Sequence, residues 1–248
     1  MGTQLTRIIS LASFLIMYLN GSAQELKQAA FTFNYNYQIP IGKLSMSFGN
    51  SSSVGASYFF EKNNNVIFGI EASYIFGVNI KDSTIFENIS TSNGYIIGSN
   101  GEYANVSLMQ RGFDSHILVG YGFHFRENSL NGIYITQGFG YLQHQIFIDT
   151  RQQNIPQLNE NMKKGYDRFS NGLSTKFSID YKYYHPKGRF LISSGVNYTT
   201  AYTKNNRAYN YANNEYYSNN REWDNLLGIK IEIIIPIKRK NQEEFHYY

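Results

Sequence analysis

The chain has no cysteine, only four prolines and a single tryptophan among 248 residues. The absence of cysteine excludes a disulfide framework, a thiolate metal site and a lipidated N-terminal cysteine. A strong charge of one sign is also missing. The formal net charge of +4 is spread along the chain, without the Lys/Arg cluster that a nucleic-acid footprint requires. The five histidines are scattered, so the convergent donor set of a metal site is not expected, and no cofactor is implied. After the N-terminal segment no apolar run reaches the ~20 residues a membrane helix needs. If the chain enters a membrane, it does so as strands.

What is abundant is aromatic: 22 Tyr and 18 Phe in a chain of negative mean hydropathy. Alternation of aromatic and polar residues produces that pairing. Its clearest instance lies near the C-terminus, where Leu227, Ile229, Ile231, Ile233 and Ile235 fall on one side of an extended strand and Gly228, Lys230, Glu232 and Ile234 on the other.

Residues 1–23 read as a signal peptide, with Arg7 as the positive n-region, Ile8 to Leu19 as the apolar stretch and Gly21-Ser22-Ala23 as the cleavage site. The mature chain would begin at Gln24, with a barrel over 24–236 and a periplasmic tail over 237–248. Period two marks strands at Phe31 to Ile39, Ser53 to Glu61, Val66 to Val78, Gly112 to Phe125, Gly132 to about Gln145, Leu173 to Tyr183, Arg189 to about Tyr202, and the C-terminal stretch, which Pro236 ends. Lys62-Asn63-Asn64-Asn65, Arg126 to Asn131 and His185-Pro186-Lys187-Gly188 read as short turns. The segments 40–52, 79–111, 146–171 and 203–223 read as long loops, and Tyr95-Ile96-Ile97 could extend a strand beyond the membrane.

About eight strands, each near the ~9–11 residues of a tilted membrane strand, with short and long connections in alternation, predict an all-β, eight-stranded antiparallel transmembrane β-barrel with short periplasmic turns and long extracellular loops. A soluble lipocalin-like barrel has the same periodicity. The minor face separates the two. It carries Glu71, Asp114, His116, Lys176, Asp180, Lys182, Lys230 and Glu232, while so many rings on the other face would overfill a lumen but suit a lipid-facing circumference with Tyr at headgroup depth. Eight strands leave a lumen that side chains fill, so Lys176, Lys182 and Lys230 are expected to pair with Glu71, Asp114, Asp180 and Glu232 in a plug. That argues against a diffusion pore.

Chemistry is sparse. Asp114 and His116 share the inward face and His144 lies at the outer end of the fifth strand, a pattern compatible with a lipid-modifying His/Ser or His/Asp site but without distinctive spacing. No catalytic residue is assigned. The loops are the better candidates: Tyr166, Arg168, Tyr216 and Tyr217 belong to a Tyr/Asn-rich mix suited to protein or glycan contacts, and the tail ends in Phe245, Tyr247 and Tyr248 around one His, a possible docking peptide.

The run Phe48-Gly49-Asn50-Ser51-Ser52-Ser53-Val54-Gly55, the loop Lys163-Lys164-Gly165-Tyr166-Asp167-Arg168, and Trp223-Asp224-Asn225-Leu226-Leu227-Gly228-Ile229 leading to Ile235-Pro236-Ile237 resemble small outer-membrane barrel proteins of Bacteroidota. The resemblance covers the mature chain and carries no catalytic residues. It implies a non-enzymatic accessory subunit of an outer-membrane protein assembly or type IX secretion complex, with outer-membrane lipid, lipopolysaccharide and protein subunits as partners. The alternatives are a freestanding surface or adhesion barrel and, third, a lipid A-modifying enzyme.

Overall fold

The computed structural model describes residues 26–82, 84–125, 130–151, 153–184, 191–217 and 220–237. Eight long strands form the body: β1 Leu26–Ile41, β2 Ser51–Lys62, β3 Val66–Gly77, β4 Ser107–His124, β5 Gly132–Asp149, β6 Ser170–Tyr183, β7 Leu191–Asn205 and β8 Arg221–Ile237. Each pairs antiparallel with its sequence neighbours, and β1 closes on β8 through a register running from Ala29 opposite Ile237 to Ile41 opposite Asn225. The ring is a closed up-and-down barrel. Closure pairs every strand edge, which is the condition for strands to sit in hydrocarbon.

The wall is inverted relative to a soluble barrel. Ile117 is 70% exposed and Ile70 59%, and Phe33, Phe139, Ile192, Ile229 and Ile231 also face outward. Such a continuous apolar circumference is far larger than the patches water-soluble monomers leave uncovered. The lipocalin-like alternative is therefore excluded, and the fold is a membrane-spanning β-barrel. Tyr35, Tyr37, Tyr74, Tyr198, Tyr202 and Trp223 gather toward the long-loop end of the exterior, the position of an interfacial aromatic belt.

Most strands are longer than the alternation predicts, β3 excepted, which ends at Gly77 rather than Val78. β4 and β5 have 18 residues each and β8 has 17, well beyond the ~11 residues that cross a bilayer. Ile146 to Asp149, expected in a loop, continue β5, and Ser107 to Arg111 begin β4. The tract Tyr95-Ile96-Ile97 does not lengthen a barrel strand. Ile96–Ile97 instead pairs with Tyr103–Ala104 in a miniature hairpin within the loop. Pro236 does not end β8 either, since it sits opposite Ala30 and Ile237 follows it in the ladder. The signal segment, the turn at 185–188 and the tail from 238 onward lie outside the described residues.

The lumen is layered. At the short-turn end Ala30, Phe59, Ile67, Tyr134, Leu191 and Ile234 form a small apolar floor. The polar midsection follows. At the other end the inward face becomes apolar again, because Ile75, Leu142, Ile146, Ile148 and Leu226 pack under Leu44 and Phe48 of the first long loop, Ile85 and Ile96 of the second, and Ile155, Leu158 and Tyr166 of the third. Tyr211 and Ala212 of the fourth loop pack against this core, so the four long loops form one cap. Backbone bonds tie it together: Gly49 N–H donates to the Asn79 carbonyl at 2.8 Å, Ser99 to Asn154 at 3.0 Å, and Tyr211 to Gly165 at 3.0 Å. Within it, Glu160–Lys163 forms one helical turn capped by the Asn159 side chain, which accepts from the amides of Asn161 and Met162.

Candidate functional site

Two places gather polar chemistry: the lumen midsection and the mouth beneath the cap. In the lumen the period-two rule aims alternate residues of neighbouring strands at one axis. Lys176 of β6 reaches Glu71 of β3 at 2.7 Å and Asp114 of β4 at 3.2 Å. Lys230 of β8 bonds Asp180 of β6 at 3.1 Å and Glu232 of its own strand at 2.9 Å. These are two separate clusters, each with one ammonium and two carboxylates, in side chains almost wholly removed from solvent. Asn36 and Asn197 exchange amide bonds nearby, Asn197 donating at 3.1 Å, and Thr32 and Ser57 share a hydroxyl contact at 2.5 Å.

Lys182 departs from the expected pairing. Its ammonium lies over the rings of Phe59 at 3.7 Å and Tyr134 at 4.3 Å, on the apolar floor. The register explains this: Lys182 lies opposite Gly132, next to the short turn, one inward step below the Asp180 level. Ring faces take the place of a direct ion pair.

His116 Nε2 is 2.9 Å from Ser174 Oγ, and its Nδ1 lies 3.9 Å from Asp114. The order Asp, His, Ser has the look of a nucleophilic triad, but the Asp114 contact is too long for a hydrogen bond, and the Asp114 and His116 side chains have no exposed surface at all. Sequence reasoning missed a further pair on the floor, where His124 Nε2 meets Glu61 at 2.6 Å. Nothing in the local sequence announces it, since Glu61 and His124 sit at strand ends beside turn residues and become neighbours only when β2 and β4 curve around the ring.

The mouth site is built from three loops and the ends of the strands below them. His144 Nε2 contacts Asp224 at 2.9 Å, and the Thr203 hydroxyl donates to the same carboxylate at 2.5 Å. Phe48 meets the His144 ring edge-on at 5.3 Å between centroids. Above them lies a cavity of about 260 Å³ whose wall includes Lys43, Arg168, Asn205, Asn213, Tyr217 and Glu222. Its charges are already matched. Lys43 pairs with Glu222 at 2.8 Å, and Arg168 is bound by Asp82 and donates to Ser47 at 3.2 Å. Burial pushes the Tyr217 phenol above its ordinary value, keeping it protonated. The cavity thus offers hydroxyls, amides and a carboxylate without an unmatched ammonium or guanidinium, a lining that can hydrogen-bond a neutral polar group.

The loop residues singled out as contacts divide. Tyr216 is 81% exposed and stacks edge-on with Tyr209 at 5.0 Å. Tyr217 and Arg168 line the mouth cavity. Tyr166 is not a surface contact: it is buried in the cap between Phe86 and Tyr211, with both ring centroids at 5.5 Å, and donates to Asn88 at 3.3 Å. A phenol that reads as an adaptable surface group is here a keystone of loop packing. Phe245, Tyr247 and Tyr248 lie outside the described residues. Among the described residues no three His, Asp or Glu side chains converge on a metal position.

No protein-family model and no curated protein sequence matches the chain. Among solved structures it is similar to Neisserial surface protein A, at 10% identity and a TM-score of 0.40, over 85% of this chain and 99% of that one. It is also similar to the attachment invasion locus protein Ail of Yersinia pestis, in complex with the heparin analogue sucrose octasulfate, at 10% identity and a TM-score of 0.41, over 85% and 98%. The outer membrane protein OprG of Pseudomonas aeruginosa gives 10% identity and a TM-score of 0.38, over 86% and 98%. The eight-stranded ring described above rests on the strand pairing itself.

Proposed function

We propose that this protein is a sealed, non-enzymatic outer-membrane barrel that acts at the cell surface by recognition. It reaches the outer membrane by Sec-dependent export, with its short turns in the periplasm and its loop cap outside. The observation that carries this reading is the cap: four loops with a common apolar core hold a polar cavity open above a lumen filled by ion pairs. A pore would need an open axis, and the imidazole that faces a serine hydroxyl, His116, has no exposed side-chain surface. Loops built only to connect strands need no core of their own, whereas a preorganised surface binds without an added ordering cost. Exposed Tyr95, Tyr103 and Tyr216 give that surface large contact area at low rotamer cost.

The second reading is an accessory subunit of an outer-membrane protein assembly or type IX secretion complex, acting through the same loops and the C-terminal tail. One feature supports it: a recess of about 530 Å³ in the hydrocarbon wall, where Ala56, Ala72 and Ser115 make a low floor between Phe31, Ile70 and Phe139. A partner's transmembrane element would fit such a recess. Purification of a tagged copy from its native envelope in mild detergent, followed by native gel and mass spectrometry, separates the readings. Migration at the size of one barrel supports surface recognition, and stoichiometric envelope proteins overturn it in favour of the subunit role.

A further inference from the structure

Outward positions of the barrel should be apolar within hydrocarbon and aromatic at the interface. Arg111 departs from that pattern. It lies on the outer face of β4, two residues above the exposed Phe113, with Phe76 of β3 and Gln145 of β5 as its register neighbours. Its guanidinium sits 5.8 Å from the centre of the Phe147 ring and donates to Met109 Sδ at 3.3 Å. No carboxylate among the described residues pairs with it. Asp149, on the outer face of β5 nearer the loops, is committed to Arg151 through a bond of 2.6 Å and a second at 2.9 Å. Around Arg111 the wall forms a recess of about 360 Å³ lined by Tyr74, Phe113, Phe147, Phe169, Gln143 and Gln145. Gln145 stands at the level of Arg111, whereas Gln143 lies opposite Phe113 beside the deeper rings, and the second guanidinium of the lining, Arg151, is paired with Asp149.

The same design recurs farther round the ring. Lys204 of β7 and Arg221 of β8 are register partners on the outer face. Arg221 lies over Tyr202 at 5.5 Å, and Tyr202 in turn packs against Trp223 at 4.8 Å. Neither cation has a carboxylate partner among the described residues. Arg111 stands within the aromatic belt at the long-loop end, between the levels of Phe113 and Phe147, and Arg221 stands just above Trp223, so both clusters hold their cations at headgroup depth.

A cation held against rings at that depth is partly removed from water and gains most from a multivalent oxyanion approaching along the membrane plane. We propose that the Arg111 recess binds the phosphorylated headgroup of an outer-leaflet glycolipid, its phosphate on the guanidinium, its sugar hydroxyls on Gln145, and its acyl chains past Gln143 along Tyr74 and Phe113. Lys204 and Arg221 form a second phosphate contact of the same kind. The assignment of leaflet rests on the orientation proposed above, but the binding itself does not, and it is independent of what the cap recognises.

The test uses the full chain refolded in detergent micelles and carried into native mass spectrometry with either bisphosphorylated lipid A or the same lipid stripped of phosphate. Wild type is expected to retain the phosphorylated lipid about tenfold better, and Arg111→Gln to lose about tenfold of that retention, the scale of one charge-assisted contact. Equal retention of the two lipids by wild type overturns the proposal, as does unchanged retention in Arg111→Gln. Displacement of the lipid by inorganic phosphate alone overturns the lipid as the source of the anion. Heat-modifiable gel migration reports folding of each variant. Should Arg111→Gln not fold, the variant carrying Lys204→Gln and Arg221→Gln takes its place, with reduced retention expected and unchanged retention overturning the second contact.

Discussion

At the scale of single residues, the lumen lysines show how position sets the worth of a charge. Lys176 sits between Glu71 and Asp114 with almost no exposed surface, so truncating it leaves two carboxylates facing each other away from water. Lys176→Met is expected to cost about 3–5 kcal/mol, the scale for removing one partner of a buried charge cluster. Lys182 leans on Phe59 and Tyr134 rather than on a directly bonded acid, and Lys182→Met is expected to cost about 2 kcal/mol or less. Urea unfolding of both variants in lipid vesicles checks the order, and a reversal would mean that the Lys176 cluster is not the main tie across the barrel. Legibility at this scale was uneven. The eight lumen residues could be picked from alternation because a strand turns every second side chain to one face. Their partners could not, since Lys176 and Glu71 are 105 positions apart and are brought together only by ring closure.

At the scale of elements, close approaches between strands and between loops determine which changes the fold accepts. Gly195 of β7 lies between Asp180 and Lys230, its register neighbours, and a Cβ there would come within 2.2 Å of Asp180 Oδ1 and 2.3 Å of the Ile179 carbonyl. Gly195→Ala is therefore expected to destabilise the barrel by about 1–3 kcal/mol by overpacking, read as a lower midpoint in the same unfolding measurement. The cap depends on Tyr166 in the corresponding way. With Tyr166→Ala the contacts to Phe86 and Tyr211 disappear, and cleavage by trypsin at the neighbouring Lys163 and Lys164 should accelerate while the strand wall stays resistant. Unchanged cleavage would show that the cap does not rely on that ring. The cap was the least legible element in the sequence. Ile146, Phe147 and Ile148 form an unbroken apolar run that hides the strand period, because Ile146 and Ile148 turn into the cap core while Phe147 turns out to the interface.

At the scale of the whole molecule, an apolar floor, a salt-bridged midsection and an apolar cap close the axis in three layers. The protein in a planar bilayer is expected to show no steady ionic current, and a stable single-channel conductance would refute the sealed lumen. Because floor, midsection and cap draw on residues from nearly every strand, barrel closure and sealing should be lost in one transition. The outer wall joins the molecule to its surroundings through three distinct surfaces: rings in the hydrocarbon belt, unpaired cations at the long-loop rim, and the tyrosines and polar cavity of the cap.

By itself the sequence determined that this chain is a wall of strands with one greasy face. Period-two alternation is a property of the extended backbone, and Phe31 to Ile39 or Leu227 to Ile235 display it without reference to the rest of the chain. It also marked eight of the residues that turn inward, though not Glu61 or Asp224. Only the tertiary structure decided that Lys182 rests on rings, that His144 and Thr203 grip Asp224, that Tyr166 is buried rather than displayed, and that Arg111 stands on the outer wall without a carboxylate. Those outcomes depend on which strands become neighbours when the ring closes, on the height each residue then has along the barrel axis, and on how loops distant in sequence pack above it. Alternation along a single strand contains none of that information.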